Sequence, residues 1–224
     1  MALLLPVLAF ITGLLLAQTS ISETVKPILS AWLARLLIPI VIIYNMVFYQ
    51  SGSLSLMLFS FGSAFIIFFA YLALFKDRLL ALCVSYTNMG WLGFPFAMAL
   101  FGPEATAPIV ALYIGMSLFG NAWNVAAPYQ SLCKDLIYST KAQAFKVACG
   151  FVLCGLSYRF LQIPNINQHI GVMFLMFCLP PAANIVALET HYQGTGRSAA
   201  YIASGTIVSC VCIAIYAMFL HVAL

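Results

Sequence analysis

The sequence predicts an all-α polytopic membrane protein, and three observations carry that prediction. Of 224 residues, 64% are hydrophobic and only 6% are charged, where a soluble domain has about 25% charged residues. The apolar residues gather in runs of roughly 17–25, enough for a helix to cross the hydrocarbon core of a bilayer. Two of those runs are broken by proline and asparagine at corresponding places, the sequence sign of discontinuous helices at a carrier's binding site.

Eight runs qualify as spans, at 2–18, 28–49, 54–75, 79–101, 105–127, 143–162, 168–190 and 198–222. The first has no Lys or Arg ahead of it and ends at Gln18-Thr19-Ser20 without a small-x-small cleavage site, so it reads as a retained span rather than a signal peptide. Basic residues mark the cytoplasmic side. With the N-terminus outside, Lys26, Lys76, Arg78, Lys134, Lys141, Lys146 and Arg197 fall at inner loops or inner span ends, seven of the nine Lys and Arg. The expectation is therefore a multi-pass protein of the cell inner (plasma) membrane with both termini outside. In span 2, Arg35 stands about two turns from the inner end, near enough for its head to reach the lipid headgroups.

The fourth span is the stretch around which the others are arranged. Residues 84–102 are apolar but hold Asn88, Gly90, Gly93 and Pro95. A proline inside a helix removes a backbone hydrogen bond and crowds the carbonyl four residues back. In lipid a freed carbonyl or a bare amide must find a partner in protein or trapped water. Taken alone, the stretch fits a broken helix facing a cavity and an ordinary kinked helix equally well. Residues 177–190 tip the balance, because Pro180, Pro181 and Asn184 interrupt the seventh span in the same way. Span 5 carries Asn121 and Asn124, three apart and so on one helix face, either lining a polar path or bonding neighbouring helices.

Each break falls in the middle of three spans. Spans 3–5 enter from outside and spans 6–8 from inside, so the two triplets have opposite topology, the inverted 3+3 repeat of a secondary transporter. The expected organisation is scaffold spans 1–2 (residues 1–50), a first core triplet (51–127), a cytoplasmic linker (128–142) and a second core triplet (143–224). The linker has room for a short surface helix through Leu132, Leu136 and Ile137 but for no soluble domain.

These residues resemble the auxin efflux carrier family, the bacterial relatives of the plant PIN auxin transporters. Ala34-Arg35-Leu36-Leu37-Ile38-Pro39 looks like the family's second span, Thr87-Asn88-Met89-Gly90 through Pro95 like its first crossing helix, and Leu179-Pro180-Pro181-Ala182-Ala183-Asn184 like its second. The resemblance implies a scaffold and a transport domain moving as an elevator, and transport of small organic anions bound at the crossover. The expected substrate-binding residues are Asn88, Gly90, Pro95, Pro180, Pro181 and Asn184, with Asn121 added from span 5. The family has about ten spans and this chain eight, the missing pair belonging to the scaffold. A homodimer packed through spans 1 and 2 is the expected compensation.

Other classes are weighed against the carrier. The net charge of +4 is spread over loops, not gathered on a face as a nucleic-acid surface would be. The seven cysteines include no Cys-x-x-Cys pair, and His169, His191 and His221 lack ligand spacing, so no metal site and no cofactor are expected. No nucleophile–base constellation suggests an enzyme. A channel built on broken helices and a non-transporting sensor or assembly subunit remain as alternatives. No Asp or Glu is expected deep in a span, which speaks against a carboxylate proton relay. Uniport driven by the membrane potential and sodium coupling through Ser85, Thr87 and Asn88 both stay open.

Overall fold

The computed structural model describes residues 53–126, 136–193 and 198–223, with a few isolated positions before residue 53. The expected spans at 2–18 and 28–49, with Arg35, Pro39 and Asn45, lie outside the described residues, as do Lys26, Lys134, Arg197 and residues 128–135 of the linker. The described residues are almost entirely helical and include no strand. In chain order they form α1 (Ser53–Phe75), α2 (Arg78–Ser85), a π-helical turn (Met89–Gly93), α3 (Phe94–Phe101), a 3-10 turn (Pro103–Ala105), α4 (Thr106–Ala126), α5 (Leu136–Phe160), α6 (Ile166–Cys178), α7 (Asn184–Gln193) and α8 (Ser198–Ala223). These helices cover six of the expected spans, because α2 and α3 share one and α6 and α7 share another.

Two stretches, Ser53–Phe75 and Ser198–Leu220, are long and apolar enough to cross a membrane by length and composition. Their outer faces stay apolar. Leu58 is 62% exposed on α1, Phe151 66% exposed on α5 and Phe219 70% exposed on α8.

The turn from α1 to α2 is tight. Lys76 takes a left-handed conformation at φ 57° and its N–H donates to the Leu72 carbonyl at 2.9 Å. Asp77 then caps α2, its Oδ1 accepting from the Leu80 N–H at 3.0 Å, so one orphan donor of the helix start is satisfied. Gly102, at φ 73°, reverses the chain after α3, a conformation open to glycine without a Cβ penalty.

α1 and α4 form the most extensive helix pair among the described residues, and α5 packs on both α6 and α8. Ser139 and Ser204 share a hydrogen bond of 2.6 Å between α5 and α8, and the Tyr216 hydroxyl of α8 donates to the Gly171 carbonyl of α6 at 3.0 Å. Aromatic edges join the two groups of helices. Phe59 of α1 meets Phe177 of α6 edge-on at 6.2 Å, and Tyr71 of α1 meets Phe145 of α5 at 5.4 Å.

One boundary differs from expectation. The linker was expected to run to residue 142, but α5 starts at Leu136. Tyr138, Ser139, Thr140 and Lys141 lower the local hydropathy without stopping the helix, and Ser139 and Ala142 are buried. The 25-residue helix is about 37 Å long at 1.5 Å per residue. Lys146 therefore stands about 15 Å from the start of the helix.

Candidate functional site

The two helix breaks meet. α2 ends at Ser85 and the chain runs extended through Tyr86-Thr87-Asn88; α6 ends at Cys178 and the chain runs through Leu179-Pro180-Pro181-Ala182-Ala183 before α7. Thr87 and Pro181 face each other as an antiparallel bridge. The Asn88 N–H donates to the Pro180 carbonyl at 2.8 Å, and the Ala182 N–H donates to the Tyr86 carbonyl at 2.9 Å. Breaking a helix frees backbone groups that lipid cannot satisfy. Here each break supplies partners for the other.

Asn88 has two jobs at this point. Its Oδ1 accepts from the Trp91 N–H at 3.2 Å and so caps the turn that follows, while its own N–H holds the crossing. The hydroxyl of Thr87 beside it is buried and has no partner among the described residues. Asn184 opens α7, and its Nδ2 donates to the Tyr86 hydroxyl at 2.5 Å across the crossing. The N-terminal ends of both second halves, at Met89 and Asn184, thus begin at the crossing, where helix dipoles place partial positive charge.

Glycines let the walls close on these groups. A Cβ on Gly90 would stand 3.1 Å from the Tyr113 ring, one on Gly120 2.3 Å from the Tyr86 ring, and one on Gly205 3.1 Å from the Pro181 ring. Ser117, one turn from Tyr113 on α4, is buried with its hydroxyl against the Tyr86 and Tyr113 phenols.

Of the expected site residues, Asn88, Pro180, Pro181 and Asn184 come together at the crossing, and Gly90 lies just beyond it under Tyr113. Pro95 does not join them. It sits in the first turn of α3, where a missing N–H costs little. The break comes seven to nine residues earlier, at Tyr86–Asn88, and the π-helical turn between carries the chain from the break into α3. Asn121 falls in α4, and its side chain lies outside the described residues.

Three participants escaped the sequence reading. Tyr86, which flanks the first crossover with Trp91 and Phe94, is expected to pack there rather than to shape an aromatic-acid pocket; it is 2% exposed and its hydroxyl is bonded to Asn184. Lys146 is expected only as a basic residue at an inner span end, and Gln143 has no expected role. The Gln143 amide donates to the Phe177 and Cys178 carbonyls at 3.0 and 3.1 Å, and the Lys146 ammonium bonds the Leu179 carbonyl. Lys146 is 2% exposed. The available signal was a lone Lys in the apolar run Ala144-Phe145-Lys146-Val147-Ala148, since an ionisable residue at membrane depth is a functional candidate by default. Glu189, also read as an end residue, is buried at the α7–α8 turn, where its Oε2 accepts from the Ser198 N–H at 3.0 Å.

The Tyr86–Asn184 bond invites a double-mutant cycle. Asn184→Leu strands a buried phenol, a cost of about 1–3 kcal/mol. Tyr86→Phe removes the stranded group, so the double variant is expected to recover at least part of that loss. Chemical unfolding in mixed micelles measures the coupling; additive losses would show that the two groups do not interact.

Among the described residues no group of three His, Cys, Asp or Glu side chains is placed to hold a metal ion. No protein-family model, curated protein or solved structure matches the chain.

Proposed function

We propose that the chain is a secondary carrier for small organic anions, a shortened relative of the auxin efflux carriers, with its substrate held at the crossing of the two broken helices. The observation that carries the reading is the antiparallel pairing of the breaks, Thr87 opposite Pro181. Discontinuous helices that meet at a repeat interface are the recurring substrate site of secondary transporters.

Several features support it. The chain passes the crossing in opposite directions in the two breaks, which accords with two inverted triplets, α1 to α4 and α5 to α8. Two helix starts and the unpartnered hydroxyl of Thr87 suit a carboxylate. The outer faces of α1, α5 and α8 are apolar, as a multi-pass protein of the plasma membrane requires. In this reading spans 1 and 2 form the scaffold, a homodimer through them completes it, both termini lie outside, and the paired core moves as an elevator.

The test is flux in proteoliposomes with a panel of labelled carboxylates, including an indole acid, with and without an imposed potential. Saturable uptake, stimulated by acid on the opposite side, is expected. The Asn88→Ala, Asn184→Ala double variant should lose it at least tenfold, the effect of about 1.4 kcal/mol or more at the site. Flux that never saturates would point to a channel, and no flux for any acid to a non-transporting subunit.

A further inference from the structure

At the end of α6, three consecutive carbonyls, those of Phe177, Cys178 and Leu179, are left without helical partners by the break. A helix C-terminus leaves such carbonyls exposed and carries partial negative charge. In carriers with broken helices, unwound carbonyls and half-helix C-termini are where a coupling sodium ion is coordinated. Here all three carbonyls are already taken by two side chains of α5. Gln143 Nε2 takes Phe177 and Cys178, and Lys146 Nζ takes Leu179. Gln143 and Lys146 are three apart and so share a helix face. The amide is held in turn by Ser209 of α8, whose hydroxyl donates to Oε1 at 3.3 Å.

The ammonium has no other evident reason to be there. A buried charge is costly unless it is paired, yet no carboxylate pairs with Lys146 among the described residues. The titratable groups that face it are the thiols of Cys83 on α2, Cys178 on α6 and Cys212 on α8. Its counter-charge is the carbonyl end of α6. The first break differs. At the end of α2 the Leu82 carbonyl accepts from the Tyr86 N–H at 2.8 Å and the Ser85 hydroxyl at 3.2 Å, and no cation is involved.

We propose that Lys146 is a tethered cation: its ammonium, with the Gln143 amide, occupies the carbonyl end of α6 that a coupling sodium ion would otherwise take, so the protein works without sodium. The site itself is visible without any assumption about transport, while the consequence for coupling rests on the carrier reading above. The positive charge is then part of the protein.

Thermal unfolding of the purified full chain in detergent tests this without a substrate. For the wild-type protein, sodium chloride and choline chloride at equal ionic strength should give the same Tm; a rise specific to sodium overturns the proposal. Lys146→Ala should lower Tm by about 6 °C or more. Ammonium or methylammonium chloride, filling the vacated place, should restore roughly half of the loss or more, and choline chloride none of it. A loss that no small ammonium ion restores makes Lys146 a packing residue and overturns the proposal. If Lys146→Ala does not fold, Lys146→Met keeps the bulk of the chain without its charge, and a Tm equal to that of the wild type would equally overturn it. Flux in the proteoliposomes should be unchanged when sodium is replaced by choline. Absent flux with intact ammonium rescue would remove the carrier reading and leave the tethered cation standing.

Discussion

Gly115→Ala is expected to separate α1 from α4 and to cost about 3 kcal/mol of stability, at the upper end of what overpacking does. A Cβ at residue 115 would stand 2.1 Å from the Met57 carbonyl oxygen and 2.2 Å from the Ser60 hydroxyl. The first of these is backbone, so no rotamer change relieves the clash. The second is pinned, because the Ser60 hydroxyl donates to the same Met57 carbonyl at 3.0 Å. Only a shift of one helix against the other makes room, and that shift moves the wall behind Tyr113 and Ser117. Gly62→Ala is the matched control. It lies on α1 with nothing within 4 Å of its added Cβ, so the helix-propensity gain of about 0.5–1 kcal/mol should show unopposed. Unfolding in mixed micelles reads both. Equal behaviour of the two variants would mean that α1 and α4 do not approach at Gly115.

The second large effect separates the backbone of Asn88 from its side chain. Asn88→Ala removes the cap on the Trp91 N–H and should cost about 1 kcal/mol. Asn88→Pro removes the cap and also the N–H that bonds Pro180. The φ of Asn88 is −79°, within the range of proline, so the ring imposes little backbone strain of its own. It does leave the Pro180 carbonyl without its partner, and it brings the ring carbon against that oxygen. The expected loss is about 3 kcal/mol or more, with transport abolished. Equal losses for the two variants would place the importance of residue 88 in its side chain and remove the backbone bond from the account of the crossing.

The positions of the breaks were legible in the residues, and their partners were not. Asn88, Pro180, Pro181 and Asn184 stand out in apolar runs because lipid tolerates them poorly without partners. The bonds that join the breaks are backbone to backbone, from Asn88 to Pro180 and from Ala182 to Tyr86, and no side chain announces them. Pro95 misled because proline is also at home in the first turn of a helix, and sequence alone does not say where that turn begins. The burial of Lys146 was hidden by the same uncertainty. Tyr138, Ser139, Thr140 and Lys141 look like a loop on a hydropathy scale, although Ser139 is satisfied by Ser204 within the helix pair. In α5 the Lys146 side chain is buried against the end of α6. Tyr86 was hidden for a different reason, since aromatic residues are common in apolar spans and only its partner distinguishes it.

The crossing also sets a problem of timing during synthesis. Tyr86 and Asn184 are 98 residues apart in the chain. A ribosome adding about 5–20 residues per second needs roughly 5–20 s to cover that distance. For that interval the first break is complete while its partner is still unmade; in the membrane reading proposed above, its free N–H and C=O groups need water or another partner until then. The second break never waits. Gln143 and Lys146, which serve its carbonyls, and Tyr86 and Asn88, which pair with it, all precede it in the chain. The first half is therefore the part of the protein that depends on help at birth, and the second half closes over a template already in place.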